Sequence, residues 1–291
     1  DEANDNKVVI TDGNVGSVYV AHTERGDTAN NRLEISGGTV GDVYTVTPSF
    51  GDAKNNVTQV TGGTINNIWG AFVGTSGDAI DNEVTISNAT VTGTIYGAYA
   101  VRQYAKESTT NNLIYNTYSN AEGNSVAISG TSSVGGDVFG TLATGSAEGN
   151  SVEISDTSSV DGNVYGGFGM MGNAEGNSVT IEDEVSLTGT GKNVYGGYSV
   201  SGDVTGNSVE ISTTGTVAST VYGGYLTGEQ MEGDSTPGTA SGNTVKVSNA
   251  TATGTIYGAK IGESDGNGGF TGSGDATGNT VTIESGTINN A

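Results

Sequence analysis

The stretch Gly149-Asn150-Ser151-Val152-Glu153-Ile154-Ser155, then Asp156-Thr157-Ser158-Ser159-Val160-Asp161-Gly162, then Asn163-Val164-Tyr165-Gly166-Gly167, decides the fold, because the chain repeats it from end to end. A close copy runs from Gly123 to Gly140, and others from Gly176 to Gly197, Gly206 to Gly224 and Gly242 to Gly258. A unit of this length cannot bury its apolar face alone and must stack on its neighbours.

An Asn anchors the first strand of each unit: Asn6, Asn31, Asn55, Asn82, Asn124, Asn150, Asn177, Asn207, Asn243 and Asn279. The intervals are 25, 24, 27, 42, 26, 27, 30, 36 and 36 residues, a period of about 26 with insertions. After each Asn comes an apolar pair two residues apart, as in Leu33/Ile35, Val84/Ile86, Val126/Ile128, Val179/Ile181, Val209/Ile211 and Val281/Ile283. That alternation marks a strand with one buried face. The third repeat departs, with Val57 and Val60 three apart, which predicts a bulge or slipped register.

A second strand carries an apolar–aromatic pair, from Val18-Tyr19 through Ile68-Trp69, Val138-Phe139 and Val164-Tyr165 to Ile256-Tyr257. An apolar residue shortly before it (Val15, Val40, Ile65, Val91, Val134, Val160, Leu187, Val217 or Ala252) precedes a turn rich in Gly, Asn, Asp, Ser and Thr. These residue types suit tight corners. No window keeps a helical stripe. The reading is all-β: one continuous domain over 1–291, a single-chain parallel β-solenoid of about ten coils of ~26 residues. Coils stacked at about 4.8 Å make a rod of roughly 48 Å. The aligned Asn side chains are expected to bond from coil to coil as a structural ladder, including Asn124, Asn150, Asn177, Asn207, Asn243 and Asn279.

Gly is 50 of 291 residues and Pro only 2, which excludes a collagen triple helix, while the registered Val and Ile positions argue against disorder. The formal charge of −23 repels phosphate backbones and anionic lipid, so neither nucleic acid nor a membrane surface is an expected partner. Without cysteine, stability has to come from repetitive packing. No apolar run is long enough for a spanning helix, so no membrane insertion by this stretch is expected. No basic and apolar leader opens the chain, as if a signal peptide had been removed. The chain stops at Ala291 partway through a repeat, as expected of a piece of something longer.

Three long intervals, 97–123, 226–241 and 259–277, fall after the aromatic strand and before the next corner, and so on one edge of the rod. The first carries Tyr99, Tyr104, Tyr115 and Tyr118 with Arg102 and Lys106, and is the leading candidate for ligand binding; the alternative is a tolerated surface loop. Its segment Asn111-Asn112-Leu113-Ile114-Tyr115 imitates a first strand without a second, as a half coil or hairpin would. If Val164 points inward, then Gly166 and Phe168 follow it and Tyr165 points out. The same parity puts Tyr99, Tyr198, Tyr225 and Phe72 inside, and leaves Tyr19, Tyr44, Trp69, Tyr96, Phe139, Tyr165, Tyr195, Tyr222 and Tyr257 as an outer stripe. Such a stripe either meets a partner or seals the coil edges.

Material for catalysis is thin. His22 is the only His and there is no Cys, which argues against a nucleophilic triad and against zinc. Acid pairs suited to glycoside hydrolysis arise by chance among 32 Asp and Glu. Asp265-Gly266-Asn267-Gly268 faintly resembles a calcium loop, but no calcium-binding nonapeptide recurs, so no cofactor is expected.

In its Gly-Asn-Ser-Val-x-Ile-Ser and Val-Tyr-Gly-Gly repeats, such as Gly149–Ser155 and Val164–Gly167, nearly the whole chain resembles the passenger domains of autotransporters, the type V secreted proteins of Gram-negative bacteria. The resemblance implies a right-handed β-helix exported through the outer membrane to the cell surface, and most often an adhesin or virulence factor. It transfers no catalytic residue. Asn124-Ser125-Val126-Ala127-Ile128 also resembles the repeats of trimeric autotransporter heads, whose period is nearer 14 than the 26 seen here. The leading expectation is a non-catalytic adhesin or cell-aggregation fragment that binds a host-cell protein or glycan or a sister-cell passenger. A carbohydrate-active β-helix enzyme and a passive spacer are the alternatives, and an ice-binding solenoid is more remote because no flat Thr ladder persists.

Overall fold

In the computed structural model the chain is described over residues 2–101, 118–187, 189, 191–228, 238–264 and 270–288. It is an all-β parallel solenoid. Four strands make each coil. Sheet A holds ten very short strands, from Ala3–Asn4 to Asp275–Thr277, and sheet B ten longer ones, from Lys7–Ile10 to Thr280–Ile283. Sheet C begins with six strands, Asn14–Val15 to Ser159–Val160, and continues through bridges at Ser186 and Leu187 into Thr216–Val217, Ala250–Ala252 and Gly286–Ile288. Sheet D has nine strands, from Val18–Thr23 to Ile256–Ile261. Each strand pairs in parallel with its counterpart one coil on, as in Val152↔Val179 and Tyr165↔Tyr195. The sheet A strands, such as Ala147–Glu148, show no alternation because two residues are too few to display one.

A corner precedes every sheet B strand. There the residue before the ladder Asn takes a left-handed φ: Gly149 at 62° and Gly176 at 63°, with Asn30 at 55° and Asn55 at 54° in earlier coils. Gly, Asn and Asp tolerate that conformation best, which explains the recurring Gly-Asn pair. It also corrects the anchor of the third coil. Asn55 fills the left-handed position, and Asn56, fully buried, is the ladder residue.

The ladder runs through every coil. Asn150 Nδ2 donates to Asn177 Oδ1 at 2.9 Å and to the Ala121 carbonyl at 3.1 Å, and its backbone N–H donates to the same Asn177 oxygen at 3.0 Å. The pattern repeats from Asn124 to Asn150, Asn177 to Asn207, Asn207 to Asn243 and Asn243 to Asn279. Each interior Asn thereby uses both amide protons, and its oxygen accepts twice. Asn31 through Asn243 along this line have no exposed surface, so unpaired amides there would be costly.

The ladder divides the interior. On one side the Val and Ile of sheets B, C and the start of D form a single apolar column that includes Leu33, Ile86, Val134, Ile154, Val194 and Val221. On the other, small residues fill a narrow space between sheets A and D, including Ala53, Ala71, Ala79, Ala98 and Ala121.

No bulge marks the third coil. Thr58 pairs with Leu33 and Val84, and Val60 with Ile35 and Ile86, so a threonine simply takes an inward apolar position. Its buried hydroxyl is matched by Thr45 across the interior. The long connections are narrower than the spacing suggests: Gly97–Ala100, Leu226 and Ala259–Ile261 belong to sheet D strands. All three leave the end of sheet D and return to sheet A at Ala121, Thr239 and Asp275.

Replacing Asn177 by Ala strands the two Asn150 donors and the Ala147 carbonyl, at about 1–3 kcal/mol for each buried group left unpaired. We expect Asn177→Ala to lose about 3 kcal/mol or more in urea unfolding and Asn279→Ala less than about 1 kcal/mol, because the Asn243 donors it uncovers lie under the last described coil, where water replaces the lost acceptor; equal losses contradict the ladder. Thr45→Val or Thr58→Val alone is expected to cost about 1–2 kcal/mol, and the double variant close to nothing, because neither hydroxyl then lacks a partner.

Candidate functional site: an aromatic furrow

Sheet D builds the most distinctive surface. Its strands share an irregular burial rhythm: in Val164–Gly169, Tyr165 and Phe168 reach the surface while Val164, Gly166, Gly167 and Gly169 are buried. Two consecutive inward residues mean that the strand is pinched toward the interior. The ladder lies directly opposite. A Cβ added to Gly167, Gly197 or Gly224 would collide with the side-chain amide of Asn177, Asn207 or Asn243. In other coils Val46, Ala71, Ala98 and Thr141 occupy the position, so the pinch admits no side chain larger than valine there.

Outward side chains diverge on the convex side of a bend and converge on the concave side. Here they converge. Tyr96 and Tyr99 meet edge to face with centroids 5.2 Å apart, Tyr195 and Tyr198 at 5.3 Å, and Tyr222 and Tyr225 at 5.1 Å. The outer surface of sheet D is therefore a furrow holding two aromatic columns. The first is unbroken: Tyr19, Tyr44, Trp69, Tyr96, Phe139, Tyr165, Tyr195, Tyr222 and Tyr257 stack in turn at centroid distances from 4.5 to 5.8 Å. The coil spacing of a parallel sheet, about 4.8 Å, is itself a good stacking distance, so the rings fit without adjustment. The second column contains Phe72 on Tyr99 at 5.1 Å, then Leu142, Phe168, Tyr198 and Tyr225.

This corrects the parity expected of the strand. Phe72, Tyr99, Phe168, Tyr198 and Tyr225 belong to the outer furrow, because strict alternation fails where the strand bends over two inward residues. It also changes what the stripe exposes. Phe139, Tyr195, Tyr222 and Tyr225 are buried among their neighbours, and only the terminal Tyr19 (56%) and Tyr257 (37%) are largely open. Burial pushes the phenol of Tyr96 up to about 12, with smaller contributions from Tyr99 and Asp137, and raises Tyr165 and Tyr195 still further.

Of the other sequence candidates, Tyr118 is described and 47% exposed, beside the first long connection. Arg102, Tyr104, Lys106, Tyr115 and the Asp265 loop lie outside the described residues. Sequence reasoning overlooked a second polar ladder at the entry to sheet A. Asp27, Asp52, Asp78, Asn120, Ser146, Asn173 and Asp203 each accept from the backbone N–H of the equivalent residue one coil on, at 2.7–3.1 Å. The N–H of Asp52, with Lys54 beside it, holds the Asp27 carboxyl below its usual range. Because its members are Asp, Asn or Ser, no single letter recurs to reveal it. A shallow 260 Å³ hollow beside this ladder is lined by Asp78, Glu122 and Glu148. No group of three or more His, Cys, Asp or Glu suited to a metal ion occurs among the described residues.

Comparison with protein-family models, with curated proteins and with solved structures finds no match.

An unfolded tyrosine titrates near 10, so above that pH the folded chain keeps protons on Tyr96 that the unfolded chain releases. The associated stability is complete below about pH 10 and is lost as pH rises through about 12. The urea midpoint is expected to stay level from pH 8 to 10 and then fall, less steeply in Tyr96→Phe; an unchanged midpoint at pH 12 contradicts the buried phenols.

Proposed function

We propose that the chain is a non-catalytic adhesive rod of the autotransporter-passenger type, displayed on a bacterial surface and binding a host-cell protein or glycan or the passenger of a neighbouring cell. The observation that carries this reading is the placement of the three long connections. All leave sheet D and re-enter sheet A on one edge, while the repeated positions of each coil are occupied by stacking on the next. Insertions on one edge of a repeat array offer variable surface on a fixed frame. The exposed ring of Tyr118 stands at the return of the first connection. The acidic surface, with a formal charge of −23, favours a neutral or basic partner and disfavours nucleic acid and anionic lipid.

A passive spacer is the second reading, favoured by the mutual burial of the rings in the middle of the furrow. Beads coated with the full chain separate the two. We expect them to adhere to epithelial monolayers or to one another, and deletion of 102–117 to reduce adherence several-fold without lowering the melting temperature. Adherence no greater than that of uncoated beads favours the spacer.

A further inference from the structure

We propose that a gap in the second aromatic column binds a single neutral pyranose ring. From Phe72 to Tyr225 the second column is filled by aromatic side chains and Leu142, and Lys260 caps its far end over Tyr225, but one coil before Phe72 the equivalent residue is Thr47, and before that His22. The first column continues past this point through Tyr44 to Tyr19. The furrow therefore persists while its second filling stops. What remains is a cavity of 330 Å³ lined by Tyr19, His22, Tyr44, Thr47, Ser49 and Phe72.

The gap is the one place in the furrow where a missing ring has both its stacking partner and its edge partner in position. One face of Phe72 lies on Tyr99 at 5.1 Å, and the opposite side of Phe72 lines the cavity. Among the described residues its only other ring contact is the edge-on approach to Tyr44 at 5.9 Å. A six-membered ring at the level of Thr47 would lie on Phe72 and meet the edge of Tyr44, much as Tyr99 meets Tyr96. Elsewhere in the columns, neighbouring side chains occupy these faces.

The polar rim decides the class of ligand. His22 Nδ1 lies 2.8 Å from the Thr47 carbonyl oxygen, which can only accept, so Nδ1 carries the proton and is engaged. The same nitrogen is 2.9 Å from the Thr47 hydroxyl. His22 Nε2 points to the exposed side, 3.5 Å from Glu24. The Thr47 and Ser49 hydroxyls complete a rim of uncharged donors and acceptors around an apolar floor. A pyranose has that complementary pattern, one face of C–H groups and a perimeter of hydroxyls. An anion meets a chain of charge −23, and a cationic amine would find a carboxylate only at the outer rim, where the Glu24 side chain is 84% exposed and screened by water. This proposal deepens the adhesive reading and rests on it only for the biological source of the sugar.

The test titrates the full chain with methyl glycosides of glucose, galactose and N-acetylglucosamine and with their disaccharides, read by saturation-transfer NMR and by fluorescence of Trp69. Trp69 is the only tryptophan and stacks 4.5 Å from Tyr44, which lines the cavity. At least one pyranoside is expected to saturate with a dissociation constant on the order of 1 mM, the range for a ligand of about a dozen non-hydrogen atoms. Thr47→Phe supplies the missing ring and is expected to weaken binding at least tenfold without lowering the melting temperature. Phe72→Leu removes the stacking face and is expected to weaken it about fivefold. The proposal is overturned if no pyranoside saturates, if Thr47→Phe binds as well as the parent, or if a tryptophan- or tyrosine-containing peptide saturates the site and no sugar does. Bead adherence without pyranoside binding overturns the site and leaves the adhesive reading standing; pyranoside binding without adherence supports the site and removes that reading.

Discussion

The buried asparagine amide is the constraint from which the rest of this structure follows. Its two protons and its doubly accepting oxygen are used only when an identical amide sits one coil above and another one coil below. That requirement sets the register of every coil and excludes Asp, which lacks the donor, and Gln, which is one methylene too long. It also reaches across the interior. The amides leave no room opposite them for a large side chain, so sheet D passes them with Gly, Ala, Thr or Val. A strand that keeps two successive residues inward there has to bend, and the bend makes the outer furrow.

The furrow shows how a structural requirement creates a surface. Once the strand is concave outward, residues three apart converge, and large flat side chains are the ones that fill the space. Each ring removes apolar area from water on both faces and finds its neighbour at a distance set by backbone hydrogen bonding. The aromatic columns thus brace sheet D as the asparagines brace the corner before sheet B and the Asp, Asn and Ser side chains brace the corner before sheet A. A chain without disulfides gains from all three, because each ties a coil to the next. The same economy leaves little reactive surface. Ring faces in the middle of the columns are covered, and the repetition lapses at Thr47 and at the edge where the long connections leave.

The coil itself was legible. The Val and Ile pairs of sheet B, the apolar residues of sheet C and the leading residue of sheet D each recur with spacing that a sequence displays directly. Reading was harder where different letters do one job. Asn55 looked like the ladder residue because both Asn55 and Asn56 are asparagines, and only a positive φ separates their roles. Thr58 looked like a break because its pairing with Thr45 spans 13 residues in sequence, and the polar ladder of Asp27 to Asp203 is chemically mixed.

By itself the sequence determined that parallel coils stack, how long each is, which positions form the main core, and that the long connections share an edge. These follow from local alternation and a fixed period. The direction of Phe72, Tyr99, Phe168, Tyr198 and Tyr225 was decided only by the tertiary structure. Alternation assumes a straight strand, and the straightness of this one is set from across the interior by the size of the asparagine amides. The open position at Thr47 belongs to the same level, since a gap exists only relative to the rings that the neighbouring coils place beside it.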